Sequence, residues 1–173
     1  HLGSMSESIK TVIARNPQMR RGDVYVLNDP YHGGTHLPDV TVITPVFDRA
    51  GRDILFYVGS RGHHADIGGT TPGSMPPFST TLDEEGVRFI NFRLIEGRGP
   101  GAPGVFREDA LMGLLTGGAT PLKYPARNPA QNVADLRAQV AANEKGREEL
   151  LRMVDHFGLD VVQAYMSHVQ DNA

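Results

Sequence analysis

The sequence predicts an α+β fold, with an antiparallel β-hairpin and sheet region over about 23–95 followed by a helical region over about 107–170. Three observations carry that expectation. Two runs rich in β-branched and aromatic residues, VTVITPVF (40–47) and ILFYVGS (54–60), flank the short polar stretch DRAGRD (48–53). From Asn128 onward the apolar residues recur at helical spacing. Between the two regions stands a breaker cluster, GRGPGAPG (97–104). Residues 1–96 are therefore expected to be the mainly β part with its loops. Residues 105–173 are the helical part of the same single segment.

Each element has a local reason. In SMSESIKTVIAR (4–15), Met5, Ile9, Val12 and Ile13 share one helix face, with Ser4 or Ser6 as cap. Asn16-Pro17 ends it, because proline disfavours helix at the preceding residue. DVYVLND (23–29) reads as a strand and PYHGG (30–34) as a turn. Residues 61–82 are rich in Gly, Pro, Ser and Thr and form a long loop. VRFINFRLI (87–95) alternates as a strand does, and REDALMGLL (107–115) is a helix with acids in its first turn. Asn128 and Pro129 open a long helix whose stripe runs through Val133, Leu136, Val140, Arg147, Leu150, Leu151 and Val154. Gly158 follows its end, and a last helix spans about 160–170. No repeat of fixed period is present.

Composition removes several function classes. The net charge of −3 gives no basic surface for nucleic acid or anionic membrane. The chain has no cysteine, which excludes disulfides and thiolate chemistry and fits a reducing compartment. No apolar stretch approaches the ~20 residues of a membrane span. Residues 1–15 lack the apolar core of a signal peptide, so the expected location is cytoplasmic. The opening HLGSM without an initiator Met, and a tail still at helical spacing, suggest a segment of a longer protein.

The chemistry concentrates at two His-x-x-Asp pairs. His36 and Asp39 stand just before one strand run, and His63 and Asp66 just after the other. With the turn centred near Ala50-Gly51, paired residues sum to about 101, which places Asp39 opposite Gly62. The two pairs then meet at one end of one hairpin. Imidazole and carboxylate together suit Mn, Fe, Co, Ni or Zn, and two His plus one carboxylate leave coordination positions open. His36, Asp39 and His63 are the expected ligands. Asp66 and His64 are the alternatives, or catalytic groups that orient a ligand. A plainer reading competes for each. Asp39 after Pro38 shapes the turn into the strand, and His63-His64 are loop residues in solvent. His32 is a further candidate with an equally simple life in solvent, and Arg61 is placed to steady a carboxylate or phosphate. No Gly-x-x-x-x-Gly-Lys-Ser/Thr, Gly-x-Gly-x-x-Gly or Gly-x-Ser-x-Gly motif occurs, so no nucleotide loop or nucleophile elbow is recognisable.

Long strings of this chain resemble the hydantoinase B/5-oxoprolinase family, and within it the 5-oxoprolinase branch. They are GDVYVLNDPYHGGTHLPDVTVITPVF, SRGHHADIGGTTPGSMPPFS, NVADLRAQVAANEKG and FGLDVVQAYMSHVQ. The resemblance implies an internal segment of a B subunit or B half several hundred residues long. It implies ATP-dependent opening of a cyclic amide, 5-oxoproline or a hydantoin, with ATP and Mg bound by a partner hydantoinase A-type subunit or domain in an oligomer. Acetone and acetophenone carboxylases share that architecture, so a ketone carboxylase B-type subunit is the alternative, and a non-catalytic assembly segment a further one. It also implies a divalent metal, Mn, Zn or Fe, bound by a His-x-x-Asp pair and a later His. The matching positions are His36, Asp39 and His63, with His63 preferred over His64 by the expected alignment.

Overall fold

The structure, a computed structural model, describes residues 3–99, 101–119 and 121–172. His1 and Leu2 of the opening HLGSM, Pro100 of the breaker cluster and Ala173 of the tail lie outside the described residues. Helix α1 (Ser4–Arg15) leads into a single sheet. Its strands are β1 (Val24–Leu27), β2 (Asp39–Phe47), β3 (Ile54–His63), β4 (Phe92–Glu96) and β5 (Val105–Phe106). All neighbours are antiparallel, in the order β3-β2-β1-β4-β5. Helices α2 (Glu108–Thr116), α3 (Pro129–Phe157) and α4 (Leu159–Asp171) complete the α+β fold.

Strand β2 is buried at all nine positions, so its side chains divide the molecule between two cores. Successive side chains point to opposite faces. Val40 and Val42 join Val24, Val26, Leu94, Leu111, Leu115 and Leu136 under α2 and α3. Ile43 joins Val12, Tyr25 and Leu27 under α1. Each fully buried aliphatic side chain contributes about 1.5–3 kcal/mol of transfer free energy. Helix α3 also reaches the sheet through amides. Gln139 Nε2 donates to the Val40 carbonyl at 3.0 Å, and Asn143 Nδ2 to the Val42 carbonyl at 3.0 Å.

The structure departs from the sequence expectations at four places. The register is one residue away from the expected one. Val46 pairs with Phe56 but Phe47 with Ile54, so a bulge at Leu55 places Asp39 opposite His63 rather than Gly62. Strand β3 consequently runs to His63, beyond the expected residue 60. Strand β4 begins at Phe92, because the backbone at Val87 and Phe89 is bonded by the Asn28 side chain instead of a strand. Asn91, at φ 59, then breaks the extended run. Finally, α1 has Gly3 at its N-cap position, with no side-chain cap from Ser4 or Ser6.

Candidate metal centre

The hairpin end is built by a turn that the core holds in place. The Asp39 N–H donates to the His36 carbonyl at 2.9 Å, closing the turn. Leu37, within it, is 1 % exposed and sits in the core under α3. Asn28 Nδ2 donates to the Leu37 carbonyl at 2.7 Å. Ahead of the turn, Gly34 lies so close to Asn28 that a Cβ there would come within 2.1 Å of its carbonyl group. Only glycine fits, and the chain is thereby folded back to deliver His36.

The register then decides which face each histidine takes. Asp39 and His63 are cross-strand partners, so both project on the α1 side. A slip of one residue would turn His63 to the other face. His63 Nδ1 stands 2.8 Å from Asp39 Oδ1, and His36 Nδ1 stands 3.3 Å from Asp39 Oδ2. The imidazole centroids are 6.0 Å apart. The carboxylate is 12 % exposed, and the His36 and His63 side chains 27 % and 52 %. On its far side the His36 ring meets the Ser74 carbonyl, with Nε2 donating at 2.6 Å.

One donor atom from each of His36, Asp39 and His63 lies within 4.8 Å of the others, making a His/Asp/His group that can hold a metal ion. Donors about 2.0–2.2 Å from a shared cation stand roughly 3 to 3.5 Å from one another. The separations of 2.8 and 3.3 Å lie close to that spacing. Two imidazoles with one carboxylate favour a transition metal over Mg or Ca.

The structure does not bring His64 and Asp66 to this carboxylate. His64 is 2 % exposed on the α3 side. Its Nδ1 accepts from Asn132 Nδ2 at 3.0 Å and its Nε2 donates to Gln139 Oε1 at 3.2 Å, so both nitrogens are engaged. Burial pulls its pKa down, against the opposing effects of the Gln139 hydrogen bond and the Asp135 charge. Asp66 instead holds the strand-to-helix loops together. It accepts from Arg127 Nη1 at 2.6 Å, from the Arg127 amide at 2.8 Å and from the Gly68 amide at 3.2 Å.

Two other candidates have local roles. His32 Nδ1 stands 3.0 Å from Asp29 Oδ1, off the hydrogen-bonding direction. Arg61, cross-strand from Thr41, donates to the hydroxyls of Thr41, Ser4 and Ser8 and so ties α1 to the hairpin. Burial lowers its pKa while the Asp39 charge raises it. Asn28, Asn132 and Gln139 position the site, yet sequence reading did not single them out. Asn132 and Gln139 were legible as amides seven residues apart on α3, a helical spacing. The Ser74 contact uses a backbone atom and leaves no residue-type signal.

The chain has known relatives. The model of a family described as hydantoinase B/oxoprolinase matches residues 1–173. A 5-oxoprolinase of Dictyostelium discoideum is 43% identical over 174 residues, which cover 100% of this chain and 12% of that protein. 5-Oxoprolinase 1 of Arabidopsis thaliana is 44% identical over 178 residues, 100% of this chain and 13% of that protein. The caprolactamase subunit beta of Pseudomonas jessenii is 32% identical over 174 residues, 100% of this chain and 27% of that protein. The crystal structure of the ATP-dependent caprolactamase from that organism superposes with a TM-score of 0.77 at 31% identity, over 99% of this chain and 27% of that one. The chain thus spans about an eighth of the curated 5-oxoprolinases it matches. No described helix is long and apolar enough to cross a membrane.

Proposed function

Because the chain belongs to the hydantoinase B/oxoprolinase family, we propose that it is a segment of an ATP-dependent cyclic-amide hydrolase that opens 5-oxoproline or a hydantoin. The observation that carries this reading is the convergence of His36, Asp39 and His63 in a chain similar along its whole length to 5-oxoprolinases and a caprolactamase. In this reading the three side chains hold a divalent transition metal, Mn, Zn or Fe. Such an ion, when bound, supplies Lewis acidity and lowers the pKa of water.

The chain's own groups prepare the site. Asp39 brings negative charge to the point where the two imidazoles meet. Ser74 keeps the His36 proton on Nε2, away from Asp39. Burial favours the neutral form of His64 behind the strand, and the amides of α3 engage both its nitrogens and keep the hairpin end in register. A lactam carbonyl is a weak electrophile. Transfer of the ATP terminal phosphoryl group to its oxygen, releasing ADP, makes it a stronger one. Water then adds to the carbon, the ring C–N bond breaks to leave an acyl phosphate, and a second water releases inorganic phosphate. ATP and Mg belong to a hydantoinase A-type partner subunit or domain, in keeping with a relative named as a beta subunit.

The test uses the full-length protein that contains this segment, mixed with its A-type partner and ATP. It is offered 5-oxoproline, hydantoin, or acetone with bicarbonate. ATP-dependent ring opening that disappears with Asp39→Ala supports the reading. Carboxylation of acetone without ring opening overturns it.

A further inference from the structure

The middle of the loop between β3 and β4 is fastened to the protein by a contact with a site residue. Its far end is well tied. The Thr70 amide donates to the Glu84 carbonyl at 2.8 Å, and the Thr80 amide to Glu84 Oε2 at 2.7 Å. Ser79 Oγ donates to the Pro76 carbonyl at 3.1 Å. Among the described residues, the one hydrogen bond across 71–75 is from His36 Nε2 to the Ser74 carbonyl, 2.6 Å. Met75 and Phe78 are 83% and 91% exposed, and Pro76 between them is buried, so residues 71–75 lie beyond an anchored proline and bury no large apolar side chain of their own.

A carbonyl only accepts, so the His36 proton sits on Nε2. In the neutral ring the lone pair is then on Nδ1, the nitrogen facing Asp39 Oδ2. A carboxylate is also acceptor-only and pulls an imidazole the other way, toward Nδ1–H. In the metal-free protein His63 takes that form, with Nδ1–H against Asp39 Oδ1, and a cation held there requires the proton to move to Nε2. Two acceptors therefore compete for one proton on His36. Ser74 wins the contest by distance, and the tautomer it selects is the one able to donate an electron pair beside Asp39.

We propose that the loop around Ser74 is a positioning element for His36, fixing the Nε2–H tautomer, so that loop order and metal binding strengthen each other. This rests on the metal reading of the His/Asp/His group. An outer partner of a ligating histidine typically changes metal affinity 10–100-fold, and the linkage is reciprocal.

The variant Pro72→Gly/Pro77→Gly, at two exposed prolines, loosens the loop and replaces none of the three side chains. Imidazole ¹⁵N spectra of the metal-free protein should show His36 as the Nε2–H form and, in the variant, a mixture. Zn²⁺ affinity should fall about tenfold in the variant, with the circular dichroism spectrum of the metal-free fold retained. Chymotryptic cleavage after Phe78 should slow severalfold when Zn²⁺ binds the wild type. An Nδ1–H tautomer in the wild type, or equal Zn²⁺ affinity in the two proteins, overturns the proposal while leaving the metal site standing. Failure of the wild type to bind Zn²⁺ at all, with the Nε2–H tautomer present, overturns the metal reading and the coupling with it.

Discussion

His63 and His64 are neighbours in sequence and opposites in structure. His63 projects to the α1 side, half exposed, with Nδ1 on a carboxylate. His64 projects to the α3 side, buried, with both nitrogens taken by the amides of Asn132 and Gln139. The two faces of one hairpin end thus treat the same side chain in two ways. One keeps an imidazole available to a ligand, and the other consumes it as structure. What separates them is the partner chemistry that each face supplies.

The largest effect expected from this contrast is at Asp39. Asp39→Ala removes the group on which both imidazoles converge, and transition-metal affinity measured by calorimetry should fall more than about 100-fold, beyond the usual cost of an outer partner. The fold should persist, as judged by circular dichroism.

His64→Ala should do the reverse. It takes one hydrogen-bond partner each from Asn132 Nδ2 and Gln139 Oε1 in a buried site and opens a cavity, at a cost of about 2–4 kcal/mol in urea unfolding. Metal bound per folded molecule should not change. Equal losses of metal in the two variants would erase the distinction between the faces.

The buried imidazole also makes stability depend on pH. Burial holds the His64 pKa below its ordinary 6.5. The folded state prefers the neutral ring, so the unfolded chain takes up this proton first as pH falls. The contribution of His64 is complete above about pH 6.5 and is lost as pH drops through the depressed folded value, with a slope of at most ~1.4 kcal/mol per pH unit. Urea midpoints in that window should flatten in His64→Gln, compared with the wild type.

The smallest effect concerns Arg61, whose positive charge acts on Asp39 from the same face. Arg61→Gln removes a repulsion on any cation at the group. Metal affinity should rise only severalfold, because solvent and salt screen the repulsion at a partly exposed site. A fall in affinity would mean that the guanidinium acts by holding Ser4, Ser8 and Thr41 in place.

Much of this architecture is legible in the residues. The strand runs at 40–47 and 54–60, the polar turn between them and the Asn128-Pro129 helix start all correspond to observed elements. The meeting of the two His-x-x-Asp pairs at one hairpin end is legible only in part. His36, Asp39 and His63 converge, but Asp66 goes to Arg127. The register error has a specific cause, because nothing in ILFYVGS marks Leu55 as the bulged residue. That single residue determines the face on which His63 stands. The alternation in 87–95 also misleads, because Asn28, distant in sequence, claims the backbone of Val87 and Phe89.

The most direct test of the contrast is a Co²⁺ titration followed by visible absorption, on wild type, His63→Ala and His64→Ala. The account predicts one equivalent of Co²⁺ with ligand-field bands in the wild type and in His64→Ala, and loss of those bands in His63→Ala. Bands that survive in His63→Ala and vanish in a folded His64→Ala would contradict it.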